Sequence, residues 1–264
     1  MLTVMRRMIV LAAILLVAAG ANAATLEETF DRTFDVQPGT LFALQNTNGH
    51  VYVKAWDQPR VQVHAVKKVE SRDADAAKKA MAALKIEASA TPGSVHINTI
   101  YPKQNGGGIF DWIAGTNVSL SVEYEVTVPA SMNLTIDDTN GAIEISDVHG
   151  SHHVTTTNGH ISLTRSGGDV DAETTNGAIK AELAEVTPGR NLRLETTNGR
   201  ISVTLPKTVA ARIDASTTNG SISSDLPVTA TEVHNHVLRG TINGGGNAEL
   251  RLRTTNGSIS IESR

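Results

Sequence analysis

The chain has 264 residues, a formal net charge of −4, 3% aromatic residues and no cysteine. That length suits one large domain or two modest ones. The missing thiols exclude disulfides, thiolate metal sites and thiol catalysis. The mild charge, with no basic run beyond Lys67-Lys68 and Lys78-Lys79, gives no support for nucleic-acid binding. Any core must be built from Val, Ile, Leu and Ala.

The first element, residues 1–23, reads as a signal peptide. Arg6 and Arg7 precede an apolar run from Met8 to Ala19, and Ala21-Asn22-Ala23 supplies a small-x-small cleavage site. The run is about a dozen residues, short of the roughly 20 that a membrane span requires. The expected mature chain starts at Ala24, has no lipidation cysteine and no transmembrane helix, and is exported: periplasmic, cell-surface or secreted; the alternative is that the segment stays uncleaved as an anchor.

Residues 24–128 form an irregular β region. Strand-like alternation covers Leu41 to Leu44, Val51 to Ala55 and Val61 to Val69. A helix follows at about 72–85, capped by Ser71 or Asp73 and rich in Ala and Lys. Strands resume at Lys85 to Ala88 and Val95 to Tyr101. A Gly/aromatic loop at 105–115 carries Phe110 and Trp112, and a long strand runs from Val118 to Val128.

Residues 129–264 repeat. Thr-Asn-Gly occurs first at Thr47, then at Thr139, Thr157, Thr175, Thr197, Thr218 and Thr255. From Gly141 onward the glycines are spaced 18, 18, 22, 21 and 37. The last gap resembles two periods with a lost corner, whose remnant would lie near Thr241 to Gly244. Three residues after each Asn stands Ile143, Ile161, Ile179, Ile201, Ile222 or Ile259, and Val51 in the first copy. Four residues before each later Asn stands Ile136, Val154, Ala172, Leu194, Ala215 or Leu252. Alternation on both sides of the corner gives strands with one buried face.

The fold class expected is all-β: a parallel β-helix-like solenoid of strand–Asn-Gly–strand coils with one short helix. The alternative is an antiparallel hairpin meander or sandwich, because Asn-Gly also makes type I′ hairpins. The solenoid is preferred because the period is one coil long and the same residue recurs at the same place in each copy. In either fold Asn140, Asn158, Asn176, Asn198, Asn219 and Asn256, with Gly141, Gly159, Gly177, Gly199, Gly220 and Gly257, are structural corners, expected to use their tolerance of positive φ. The helix should cover one open end, and Glu262-Ser263-Arg264 should blunt the other.

Little in the sequence points to chemistry. His149, His152 and His153 share a turn and are weak metal candidates, without the spacing of a known zinc motif. Asp137, Asp138, Glu144, Asp147, Asp169, Asp171 and Glu173 could serve a polysaccharide-active enzyme, but they read as ordinary strand positions. No catalytic residue or cofactor motif stands out. Two features suit binding. One is the outward threonine column Thr139, Thr157, Thr175, Thr197, Thr218 and Thr255; the other is the loop of Phe110 and Trp112.

The repeated Thr-Thr-Asn-Gly-x-Ile string, the upstream Ala/Lys-rich helix and the strand ending Val126-Thr127-Val128-Pro129 resemble the DUF4097 family of bacterial β-strand-repeat proteins, often labelled adhesins. The resemblance runs from about Phe34 to the C-terminus. It implies a β-helix-like fold and an extracytoplasmic role at the cell envelope, where some relatives accompany envelope-stress regulators. It transfers no catalytic residue and no ligand. The function expected is that of a non-catalytic, adhesin-like envelope protein that binds a glycan or protein through a solenoid face or loop. The alternatives are a polysaccharide-active β-helix enzyme and an envelope-stress scaffold or sensor.

Overall fold

A computed structural model describes residues 14–15, 24–102, 118–184 and 189–264. The segment 1–23 expected to be a signal peptide, apart from Ile14–Leu15 paired with Glu27 and Glu28, and the loop of Phe110 and Trp112 lie outside the described residues. Among the described residues no helix is long and apolar enough to cross a membrane.

The described residues form two sheets of eleven strands each. In the repeat region each coil gives one strand to each sheet, and the Thr-Asn-Gly corner carries the chain between them. His152–Asn158 lies in one sheet and Ile161–Ser166 in the other; Val170–Asn176 and Ile179–Leu183 follow the same plan. Successive coils pair in parallel and in register, with Ile143 beside Ile161, Ile161 beside Ile179, and Ile179 beside Ile201. A hairpin meander would pair these strands antiparallel, so the solenoid is the architecture.

The core is the space between the sheets. Ile143, Ile161, Ile179, Ile201 and Ile259 are fully buried on one wall, and Ile136, Val154, Ala172, Leu194, Ala215 and Leu252 on the other. A buried aliphatic side chain of this size contributes about 1.5–3 kcal/mol, and no single coil can provide that burial alone. Tyr124 and Phe42 are the only aromatic side chains fully buried in it among the described residues.

The corners work differently from the expectation. Of the corner residues only Gly49 has a positive φ. The other six glycines are required by stacking. A Cβ on Gly159, Gly177, Gly199 or Gly257 would lie 1.9 Å from the carbonyl oxygen of the glycine in the adjoining coil. The asparagines form a ladder in which each Nδ2 donates to the next Oδ1. The chain of partners runs Asn219, Asn256, Asn198, Asn176, Asn158, Asn140, Asn48, at 2.7–2.9 Å. A second, inward column lies beside it. Thr156, Thr174, Thr196, Thr254 and Thr217 are buried, and their hydroxyls donate to Gly141, Gly159, Gly177, Gly199 and Gly257 carbonyls at 2.8–3.3 Å.

Both ends depart from chain order. The coil of Leu41–Gln45 and Val51–Trp56 stacks directly on that of Asn133–Asp137 and Ile143–Ser146, and Ser94–Ile100 with Ser119–Pro129 lies beyond it. The irregular region therefore continues the solenoid. The helix Ala74–Ala83 starts at Asp73, whose carboxylate accepts from the Asp75 and Ala76 amides at 2.9 and 3.1 Å. It buries Ala76, Ala77, Ala80 and Met81 and connects the two sheets at this end, from Arg60–Ser71 to Lys85–Thr91.

At the other end the expectation fails. The last coil, Ala248–Asn256 and Ile259–Ser263, is inserted between the coil ending at Leu205 and that of Ala211–Asn219. Glu262-Ser263-Arg264 thus blunts no edge. The long glycine gap is not a lost corner. It holds an antiparallel hairpin, Val228–His234 with Val237–Ile242, laid against Ala211–Asn219 at the margin of one sheet. Asn243 and Gly244 are a positive-φ turn outside the corner columns.

Candidate functional site

The outer faces are where a partner could bind, because the interior is filled. On the face that carries the isoleucine strands, alternation places Tyr52 outward between buried Val51 and Val53. Tyr52 is 39% exposed and is the one large exposed aromatic among the described residues. The sheet register sets Glu125 on one side of it and Glu144 on the other. Lys54 and Ser146 stand side by side one position along, and the group lines a concavity of about 350 Å³.

His50 adds a ring 6.0 Å from that of Tyr52, tilted by 36°. His160 lies 3.6 Å from Glu144. Partial burial, then the fields of Glu144, Glu123 and Glu125, hold the Tyr52 hydroxyl above the usual phenol range, so it stays a neutral donor. From Glu144 the same row continues across the face as Ser162, Lys180, Ser202, Ser260 and Ser223. An aromatic plane, acceptor carboxylates and a line of hydroxyls thus share one rigid surface. Such a surface can stack on an apolar sugar face and hydrogen-bond its hydroxyls.

The opposite face is dominated by ion pairs. Arg193 meets Asp171 at 2.8 Å and Glu195 at 2.6 Å, with Glu173 at 3.7 Å. Arg190 pairs with Asp169 on this face, whereas the Arg165–Asp147 pair lies at the end of the isoleucine strands. Asp137 accepts from the Thr155 hydroxyl. Most of the carboxylates considered for catalysis are therefore engaged with neighbouring coils. Glu144 lies in the Tyr52 groove, and Asp138 is buried.

The three histidines of the turn do not converge. His152 points inward, 2% exposed, with Nε2 on the Val148 carbonyl at 3.1 Å. His153 points outward to Asp171, 3.4 Å away, and His149 is exposed. Adjacent residues of one strand face opposite sides of the sheet, which breaks the cluster. Among the described residues no group of three or more His, Asp or Glu side chains could hold a metal ion. Burial keeps the His152 imidazole below the ordinary histidine range, and its Nδ1 has no partner.

The outward threonines Thr139, Thr157, Thr175, Thr197, Thr218 and Thr255 are exposed along the corner edge. Thr197 and Thr255 border a shallow concavity with Glu195 and Arg253. The sequence reading missed Tyr52. The signal was available, as an aromatic residue at outward parity within Val51 to Ala55.

The sequence matches the Toastrack DUF4097 family over residues 44–262. No curated protein matches it. Among solved structures, a proposed cell adhesion protein from Clostridium sporogenes is 11% identical with a TM-score of 0.51, over 89% of this chain and all of that one. A proposed adhesin from Bacteroides fragilis is 9% identical with a TM-score of 0.41, over 89% of this chain and 97% of that one. At these identities the first likeness is one of fold.

Proposed function

The chain belongs to the DUF4097 (Toastrack) family, and from that premise we propose that it is a non-catalytic, adhesin-like protein of the cell envelope that binds a glycan on the Tyr52 face. One observation carries the reading: Tyr52, flanked in register by Glu125 and Glu144 in a shallow groove, heads a row of serine hydroxyls interrupted by Lys180 on a coil-stacked surface. The stacked coils hold these groups at fixed spacing, so little order has to be gained on binding. Three glutamates around the ring, Glu123, Glu125 and Glu144, disfavour acidic polymers, so the proposed ligand is a neutral or amine-bearing polysaccharide. Export follows from the basic, apolar and Ala-x-Ala pattern of residues 1–23. The name of one structural neighbour, a proposed cell adhesion protein, agrees with a binding role.

The test is a glycan array probed with the mature chain and with Tyr52→Ala. The reading predicts retention of neutral or amino glycans by the native chain and at least a ten-fold weaker signal for the variant, with unchanged thermal unfolding. Ring stacking contributes about 0.5–1.5 kcal/mol beyond the apolar area it buries, and the two together exceed the roughly 1.4 kcal/mol that makes a ten-fold change. Equal binding by the two proteins would sink it. Release of reducing ends from a bound glycan would replace it with the enzymatic alternative.

A further inference from the structure

The inward threonine column changes character at one joint. Sheet register places Asp138 directly below Thr156, next to the Asp137–Thr155 pair, and Asn46 below Asp138. Thr156, Thr174, Thr196, Thr254 and Thr217 each bring a hydroxyl proton to the glycine carbonyl of the adjoining coil. The carbonyl at the Asp138 level belongs to Gly49, which the Asn46 side-chain amide reaches only at 3.5 Å, its shorter bond going to the Val122 carbonyl at 3.2 Å. A Cβ built on Gly141 would lie 2.0 Å from Gly49 O and 2.4 Å from Asp138 Oδ2, so the two oxygens crowd one small volume. Asp138 is 7% exposed; the Thr139 amide lies near its carboxyl group, but neither carboxyl oxygen receives a well-formed hydrogen bond.

Two oxygens in that position repel unless a proton lies between them. We propose that Asp138 is a proton-operated tie: as the neutral acid it donates to the Gly49 carbonyl and completes the column, and as the carboxylate it opens the column at this joint. The joint holds the coil that bears Tyr52 to the coil that bears Glu144. Regulation of ligand binding through it rests on the glycan-binding reading above; the tie itself does not.

The surroundings agree. Burial pushes the Asp138 carboxyl up to about 6; the Thr139 amide and the charge of His50 pull it back only partly. His50, from the corner below, and Tyr101, at the end of Ser94–Ile100, are the titratable groups that face it among the described residues. Tyr101 remains a neutral phenol, its hydroxyl committed to Asn46 Oδ1 and the Asn48 carbonyl at 3.1 and 2.8 Å. From the coil above, the column neighbour is Thr156, whose hydroxyl is committed to Gly141.

Because the folded pKa exceeds the unfolded carboxyl value of 3.8, the folded chain holds this proton about a hundred-fold more tightly. The resulting stability is fully present below about pH 4. It is lost as pH rises through about 6, and does not change further above that.

The test compares the mature chain with Asp138→Asn, whose amide donates at every pH. Unfolding midpoints are measured from pH 4 to pH 8 without ligand. The variant should be the more stable protein above pH 6, and its advantage should shrink towards pH 4. A difference that does not vary with pH would overturn the proposal. Should the variant not fold, a carbon-13 titration of the native Asp138 carboxyl decides: a midpoint above 5 supports the tie, and one at 5 or below overturns it.

Discussion

At the scale of single residues, the corner shows why composition alone misleads. Asn and Gly were expected to be chosen for positive φ, and only Gly49 uses it. The glycines are demanded by a neighbour's carbonyl that one sequence copy cannot reveal, because the clash exists only between stacked coils. Gly177→Ala should therefore cost about 3 kcal/mol or more by forcing two coils apart, measured as a lowered urea midpoint. Thr174→Val tests the inward column with the shape preserved. Losing its hydroxyl donor to Gly159 should cost about 1–2 kcal/mol. The inward threonine is legible from alternation, which puts Thr174 on the face of Val170 and Ala172; its carbonyl partner in the adjoining coil is not. His152 is legible only in three dimensions. Its folded pKa is depressed, so it contributes stability that is present above about pH 6.5 and is lost as pH falls through the folded value. His152→Gln should flatten that acid limb of the thermal midpoint. This trend opposes that of Asp138, so the two are separated only by comparing variants.

At the scale of elements, strands and helix were readable because each carries its own periodicity. The helix expected at about 72–85 is Ala74–Ala83, and the Asp73 cap was visible as an acid just ahead of an alanine-rich run. The order of coils was not readable. Parallel pairing of identical Thr-Asn-Gly units leaves no local mark of which copy lies beside which, and the chain places its last coil inside the stack. The native chain lacks cysteine, which makes this easy to test. Ser202 and Ser260 are register neighbours, and Ser223 lies beyond Ser260. Ser202→Cys combined with Ser260→Cys should form a crosslink under mild oxidation. Ser202→Cys with Ser223→Cys, two strand spacings or about 9.6 Å apart, should not. Reversed yields would mean that the coils stack in chain order.

At the scale of the whole molecule, the repeat is scaffold and the exceptions to it are where function is proposed. Isoleucine, asparagine, glycine and inward threonine columns account for how a chain with few aromatics stays folded. Tyr52 and its glutamates are placed by that scaffold but do not belong to it. The sequence separated these roles incompletely, because an outward residue is defined by the register of neighbouring strands as much as by its own. Glu125, Tyr52 and Glu144 are scattered along the chain and become one row only after the first coil stacks out of order. On the proposed function, binding resides in this row and the repeated threonines are dispensable for it. Titration of a glycan selected on the array against the native chain, Tyr52→Ala and Thr175→Ala tests it most directly. Affinity should fall at least ten-fold for Tyr52→Ala and stay within two-fold for Thr175→Ala. Loss of binding in Thr175→Ala with Tyr52→Ala unaffected would contradict the claim and move the site to the corner edge.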